Sequence, residues 1–207
     1  MKTIFCLLAL FVGTTFADKD SEWLKSLEKS FATVKTVQAR LRQEKKLKMF
    51  NRTIIMTGRI ALEHPGKLAW RFDKPIKYTL IIDGKIARQW DEESKKVQKI
   101  KTQKDPIFKE VIGQIEKWFS GDFSALLKEY TLTVKSKNPP VLEFIPKSDG
   151  MVHKVIKKLT IHIRPDLRYV EKINIEDAGG DQTIITFLDT RLNEPIPASE
   201  WEISPNG

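Results

Sequence analysis

Most of this chain alternates apolar and polar residues with a period of two, and no other feature restricts its fold as strongly. In residues 37–44, VQARLRQE, the apolar Val37, Ala39 and Leu41 alternate with polar residues. Successive side chains of a β-strand point to opposite faces of the sheet, so such a segment predicts a strand with one apolar face. Further candidate strands lie at 53–63, 68–73, 77–82, 86–90, 129–137, 141–146, 155–163, 168–177 and 182–190.

The links between these strands are short and polar, which favours antiparallel neighbours. Asp83-Gly84 is a strong hairpin signal, and the charged segment DEESKK at 91–96 marks another turn. We therefore predict an antiparallel meander in the first half of the chain. The tail, residues 194–207, is predicted to end in a turn and a short edge segment.

Two segments have a helical period instead. Residues 20–34 place Trp23, Leu27, Phe31 and Val34 on one stripe. A second helix is predicted from Asp105, a good N-cap, through Pro106 to a stop at Gly121, with a short helical turn at 122–127. Its apolar stripe consists of Phe108, Val111, Ile112, Ile115 and Phe119.

The order of these elements predicts a mainly β (α+β) fold. Ten or eleven strands with one helix before the sheet and one interrupting it fit either a single large curved sheet or an open barrel with helices over its mouth. The second helix is too apolar to lie exposed, so it must cover something.

Residues 1–17 are predicted to be a secretory signal peptide. A lysine precedes an apolar run at 4–12 that is too short to span a bilayer as a helix, and small residues precede a cleavage site after Ala17. The single cysteine, Cys6, lies inside that run, where it does not fit a lipid-anchor site. We expect residues 18–207 to form one soluble, disulfide-free domain.

The chain is basic, with a formal net charge of +9. A basic balance is compatible with nucleic acid, a membrane surface or a solvated basic exterior. The predicted signal peptide and the lack of a nucleic-acid-binding module in the sequence argue against nucleic acid as the partner. Anionic lipid headgroups are the better partner, and a plain solvated surface remains the alternative.

The sequence offers little to an enzyme. Its histidines, His64, His153 and His162, have no metal-ligand spacing, and no phosphate-binding, dinucleotide-binding or hydrolase motif is present. Asp91, Glu92 and Glu93 stand together in a predicted solvated turn. We therefore predict no catalytic residue, metal site or cofactor.

Aromatic and aliphatic residues are concentrated in the helices and the first half of the sheet. They are either ordinary core, or the wall of a curved sheet that cannot fill its own interior and takes up a lipid chain. Burying a CH₂ group contributes about 0.8 kcal/mol, so area alone could hold an acyl chain. The candidate cargo-binding residues are Trp70, Phe72, Tyr78, Leu80, Ile82, Trp90, Phe108, Ile112, Ile115 and Phe119.

Residues 64–85, HPGKLAWRFDKPIKYTLIIDGK, resemble the LolA family of periplasmic carriers of outer-membrane lipoproteins. The resemblance consists of His64-Pro65, Trp70, Pro75 and Asp83-Gly84-Lys85 at matching spacing. It extends to the preceding helix, to strand 37–43 and, weakly, to the closing segment 201–205. Residues 105–180 match mainly in the order of elements.

This resemblance implies an unclosed antiparallel β-barrel of about eleven strands with a helical lid. It implies a monomeric periplasmic carrier that takes acylated lipoproteins from an inner-membrane lipoprotein-releasing ABC transporter to an outer-membrane acceptor lipoprotein. The absence of a lipidation cysteine argues against the similar acceptor LolB. Residues expected to contact the lid are His64, Trp23, Leu27 and Phe31.

His64 is the main departure from the family. The family commonly has an arginine there, which holds the lid closed. A histidine offers fewer donors and titrates near neutral pH, so a His64 latch would be weaker and pH-dependent. The alternatives are a related protein for another lipid or glycolipid cargo, an interaction protein that senses envelope lipids, and a His64 that only flanks a turn.

Overall fold

Eleven strands form one antiparallel sheet in the computed structural model, which describes residues 16–84, 86–101, 106–148 and 152–203, without the side chains of 16–19 and 106–112. Three helices accompany them: α1 (Phe16–Phe31), α2 (Pro106–Ser120) and α3 (Phe123–Leu126). The strands are β1 (Thr36–Leu47), β2 (Arg52–Glu63), β3 (Lys67–Lys74), β4 (Tyr78–Asp83), β5 (Ile86–Asp91), β6 (Val97–Lys101), β7 (Tyr130–Lys137), β8 (Pro140–Pro146), β9 (Ile156–Ile163), β10 (Val170–Asp177) and β11 (Gln182–Leu192).

The sheet is open, with β6 and β7 at its edges. The strand order is β6-β5-β4-β3-β2-β1-β11-β10-β9-β8-β7, so two meanders meet where β1 pairs with β11. The predicted unclosed, mainly β architecture and the predicted meander are confirmed. The predicted signal peptide lies mostly in residues 1–15, outside the described part of the chain.

One face of the sheet, which we call the inner face, carries the helices. Cross-strand pairing places Val37, Leu62, Leu68 and Ile82 in one row across β1 to β4. These side chains belong to a core that also contains Leu24, Leu27 and Phe31 of α1 and Phe119 of α2. The predicted stripe of α1 is therefore largely buried, with Trp23 at its half-buried border.

The helices end where the sequence indicates. Gly121 follows α2 with a positive φ of 72°, and a Cβ there would overlap the Phe31 ring, so both backbone angle and packing require glycine. Asp122 then caps α3 by accepting a hydrogen bond from the backbone N–H of Ala125 at 3.1 Å. Asp105, the predicted cap of α2, lies outside the described residues.

The tail does not form the short edge segment expected. Residues 194–203, which we call the C-terminal strap, cross the outer face of the sheet, and Ile196, Trp201 and Ile203 pack on Ala61, Ala69 and Ile81. Alternation alone assigns Arg59, Arg71 and Arg88 to a solvated face, and nothing local in the sequence shows that the tail returns to them.

Arg71 is the principal anchor of the C-terminal strap. It is 5% exposed and donates to the backbone carbonyls of Glu200 at 3.0 Å and Glu202 at 2.7 Å. Burial lowers the pKa of its guanidinium, as does neighbouring Arg59, while Glu200 opposes the shift. Arg88 donates to the Trp201 carbonyl at 2.9 Å, so directional polar contacts fix the outer face.

Gly58 lets β3 approach β2 more closely than a side chain would allow. It lies at a bulge opposite Phe72, and a Cβ would overlap the Arg71 carbonyl oxygen and stand 2.8 Å from the Phe72 Cα. We predict that Gly58→Ala lowers the free energy of unfolding by at least about 2 kcal/mol, because backbone atoms must move.

Gly113→Ala in α2 is the matched control, since its added Cβ meets no described atom within 4 Å apart from the adjacent residues and backbone of its own helix. It should raise the free energy of unfolding by up to about 1 kcal/mol through helix propensity. Urea denaturation of both variants measures the difference. Equal stability of the two variants would contradict the close approach at Gly58.

Candidate functional site

Both halves of the inner face contain fully buried and partly exposed apolar side chains. In the second half, Leu142, Phe144, Leu159, Ile161 and Ile173 are all 0% exposed. In the first half, four large neighbouring side chains on β3 and β4 remain partly exposed, and we call them the apolar strip. They are Trp70, Phe72, Tyr78 and Leu80.

The apolar strip is a continuous patch on β3 and β4. Trp70 lies directly opposite Leu80, and Phe72 directly opposite Tyr78. The Trp70 and Phe72 ring centroids are 6.2 Å apart, and those of Phe72 and Tyr78 are 6.5 Å apart. Burial, followed by the charge of Asp91, raises the pKa of Tyr78, so its hydroxyl stays neutral at physiological pH.

Phe119, near the end of α2, joins the apolar strip to the other half of the sheet. Its ring centroid is 6.4 Å from that of Trp70 on β3 and 5.5 Å from that of Phe187 on β11. In a flat sheet β3 and β11 would be about 14 Å apart, given strand spacings of about 4.8 Å. The sheet therefore curves around the end of α2.

Around Ile115 and Glu116, the described residues leave little space between α2 and the sheet. A cavity of about 20 Å³ lies between Ile115 and Glu116 of α2 and the side chains of Leu62, Leu68 and Ile82. That volume suits about one water molecule, far less than an acyl chain needs. Any long apolar ligand at this position must displace α2.

Two buried donors, one on α2 itself and one packed against it, have no hydrogen-bond partner among the described residues. Tyr169 is 0% exposed and Trp118 is 7% exposed, and neither the Tyr169 hydroxyl nor the Trp118 Nε1–H meets an acceptor. The Tyr169 ring stacks on Phe119 at 5.9 Å, and burial raises the tyrosine pKa well above its ordinary value. A buried unpaired donor costs about 1–3 kcal/mol, so this core can accept a polar atom of a ligand.

His64 connects the sheet to α2. It follows β2, and the backbone of Phe119 lies close to its ring. Burial lowers the His64 pKa most, nearby Lys35 lowers it further, and the Phe119 backbone opposes both. Lys67 and Glu116 line the same cavity. The neutral imidazole is therefore favoured at neutral pH.

The structure brings most of the predicted site residues together. The apolar strip, Ile82, Ile115 and Phe119 share the inner face with Leu27 and Phe31 of α1. Phe108 and Ile112 lie on α2, but their side chains are outside the described residues. Whether these residues bind a ligand remains a prediction. Sequence reasoning missed Tyr169 and Phe187, since the sequence does not show which residues a single buried aromatic contacts. It counted Trp118 among the clustered aromatic residues but did not assign it to the site.

Trp90 is the exception, because it lies on the outer face. Trp90 is opposite Thr79, whereas the inner-face residue Leu80 is opposite Gln89. The β4–β5 turn pairs Asp83 with Ile86, which places Ile86, Arg88 and Trp90 on the side away from the apolar strip. Counting across this two-residue turn from the sequence would have found the correct face.

Metal ligands and membrane spans are the other features that would point to a different kind of site. The described residues contain no group of three His, Cys, Asp or Glu side chains that could hold a metal ion. None of the described helices combines the length and the apolar character needed to cross a bilayer.

Comparison with known proteins places this geometry in a family. An outer-membrane lipoprotein carrier protein of Pseudomonas fluorescens (strain Pf0-1) is 26% identical over 216 aligned positions, which cover 100% of this chain and 97% of that protein. The corresponding protein of Pseudomonas entomophila (strain L48) is 25% identical over 214 positions, covering 100% and 97%.

Among solved structures, an uncharacterized conserved protein from Thermus thermophilus aligns with a TM-score of 0.54 and 10% identity, covering 90% of this chain and 94% of that one. Similarity at such low identity shows the fold alone. The sequence model of the family described as "Outer membrane lipoprotein carrier protein LolA" matches residues 32–204, most of the chain. The chain therefore belongs to the LolA family.

Proposed function

We propose that this protein is a periplasmic carrier that binds the acyl chains of lipoproteins on its inner face. The observation that carries the proposal is the half-buried apolar strip beside the apolar helix α2. Relatives over the whole chain are named outer-membrane lipoprotein carrier proteins. Transport between membranes would need only binding and release, with no bond made or broken in the cargo.

Cargo uptake would begin at the apolar strip and proceed under α2. An acyl chain lying along Trp70 and Leu80 would next meet Phe119, and moving α2 aside would expose Tyr169 and Phe187 to it. Each buried CH₂ contributes about 0.8 kcal/mol, so a long chain can offset the loss of the contacts made by α2. Because apolar contacts are non-directional, contacts with an acyl chain could replace the contacts with α2.

Polar recognition would come from the two unpaired donors. The ester or amide carbonyl at the head of an acyl chain can accept hydrogen bonds. The Tyr169 hydroxyl and the Trp118 Nε1–H are donors without acceptors. Their pairing would relieve a cost that the unliganded protein bears.

Membership of the family supports a proposal for the exchange partners. An inner-membrane lipoprotein-releasing ABC transporter would supply the cargo, and an outer-membrane acceptor lipoprotein would receive it. A second candidate function is carriage of another lipid or glycolipid, which His64 favours because it replaces the arginine expected at the lid.

The direct test is to purify the protein from its native envelope and identify bound molecules by mass spectrometry. Acylated protein fragments would support the lipoprotein carrier, and a free lipid or glycolipid would support the second function. A protein that is empty and also takes up no acylated probe would contradict both.

Leu80→Arg tests the apolar strip. Because Leu80 is partly exposed, we expect an arginine there to reach solvent and leave the fold intact, while its charge blocks an acyl chain. Affinity for a fluorescent acyl probe should fall at least about tenfold, the equivalent of 1.4 kcal/mol. Thermal melting checks the fold.

Leu188→Arg is the matched control, since Leu188 is 39% exposed and lies opposite Arg40 on the outer face. It should leave probe affinity unchanged. If both variants bind equally well, or if Leu80→Arg unfolds the domain, the apolar strip is not the ligand surface.

A pH titration tests the His64 contact. Because the His64 pKa is lowered by folding, the unfolded chain binds more protons, and the stabilisation from His64 is present above about pH 6.5. That stabilisation should be lost as the pH falls through the folded pKa. The difference in unfolding free energy between the protein and His64→Asn should therefore shrink below about pH 6.5.

Hydrogen exchange of α2 is the second measurement, because protonation of the buried His64 beside Lys35 should destabilise the packing of α2 and speed its exchange at low pH. His153→Asn, an exposed position outside this contact, is the control. A stability difference that widens as the pH falls, or exchange in α2 that His64→Asn does not change, would contradict the contact.

A further inference from the structure

The β1–β2 hairpin ends in two large apolar residues that serve no folding purpose. Met49 is 86% exposed and Phe50 is 70% exposed. The Asn51 N–H donates to the Lys48 carbonyl at 3.4 Å, so Met49 and Phe50 occupy the two central positions of the turn. Glycine, proline and small polar residues favour such positions, and neither Met nor Phe supplies turn chemistry.

A third apolar side chain stands beside them. Val155, just before β9, is 67% exposed and lines an open cleft together with Met49 and Phe50. The β10–β11 turn supports this arrangement, since the Lys48 N–H donates to the Asp181 carboxylate at 3.0 Å. We call Met49, Phe50 and Val155 the hairpin tip. Single exposed apolar residues are common on protein surfaces, whereas a cluster of three indicates an interaction surface.

Cations surround the hairpin tip. Lys46, Lys48, Arg52 and Lys154 are all exposed, and among the described residues none of them forms an ion pair. The nearby carboxylates of Asp177 and Asp181 accept backbone N–H groups, and Glu176 pairs with Lys157 and Lys158. The local net charge around the hairpin tip is therefore positive.

We propose that the hairpin tip docks on an anionic membrane surface. Met49 and Phe50 enter the boundary between headgroups and acyl chains, and the four cations contact lipid phosphates. An apolar tip alone would suit a protein partner equally, but a surrounding ring of unpaired cations complements anionic headgroups. The surface is separate from the inner-face site, because His64 lies at the opposite ends of the strands.

The test is co-sedimentation with vesicles of phosphatidylcholine alone and of phosphatidylcholine mixed with phosphatidylglycerol. The protein should bind the mixed vesicles at least tenfold more tightly, and added salt should weaken that binding. The double variant Met49→Ser/Phe50→Ser should lose at least tenfold in affinity. Lys46→Gln/Lys48→Gln should lose the preference for phosphatidylglycerol. Circular dichroism melting verifies that each variant folds.

Two control variants distinguish docking by the hairpin tip from adsorption elsewhere on the surface and from lipid uptake. Val97→Ser/Lys99→Gln, on edge strand β6, makes similar changes away from the hairpin tip and should bind like the unchanged protein. Leu80→Arg should also retain vesicle binding. Loss of vesicle binding in Leu80→Arg would show lipid uptake on the inner face instead, and would overturn the proposal.

Other outcomes would also overturn it. These are equal affinity for neutral and mixed vesicles, or tip variants that bind as tightly as the β6 control. A third is a concentration-dependent dimer that the tip variant abolishes without changing vesicle binding, since it would assign the hairpin tip to a second copy of this chain. Failure of the carrier function leaves this test intact, because vesicle docking requires no bound cargo.

Discussion

The contact of α2 with both halves of an open sheet is the interaction on which this structure depends. An open sheet with an apolar inner face cannot cover that face with its own strands. Phe119 reaches Trp70 on one half and Phe187 on the other, and so joins the apolar cores of the two halves. The same contact occupies the space that a ligand would need. Packing of α2 therefore stabilises the fold and, at the same time, keeps a ligand from the inner face.

The two faces of the sheet are held by different kinds of interaction. On the outer face, Arg71 and Arg88 bind specific carbonyls of the C-terminal strap, and such bonds require fixed geometry. On the inner face, contacts are mostly apolar and can be exchanged for others of similar area. Removing α2 would therefore leave the outer contacts intact, and the sheet could keep its shape while its inner face changes partner.

Alternation and turn chemistry predicted the strands, the open sheet and the ends of α2, because these depend on neighbours in sequence. The outer-face position of Trp90 was also predictable, because the Asp83–Ile86 pairing determines which face Trp90 occupies. The position of the C-terminal strap could not be predicted. The sequence pattern of Arg59, Arg71 and Arg88 is the same whether these side chains face solvent or a covering segment. Nor could the small volume of the cavity beside α2 be predicted, because cavity volume depends on how side chains of distant segments fill space.

His64 bears on how a carrier of this architecture would release its ligand. Burial of long apolar chains gives tight binding, and tight binding alone makes slow release. A latch that strongly favoured α2 in place on the sheet would add to the free energy needed to load the site, but it would also favour release once α2 returned. As a latch, a neutral, half-buried histidine beside the Phe119 backbone would be weaker than a charged arginine with five donors. Replacing His64 by arginine would therefore slow loading and shift the resting protein further toward the closed state.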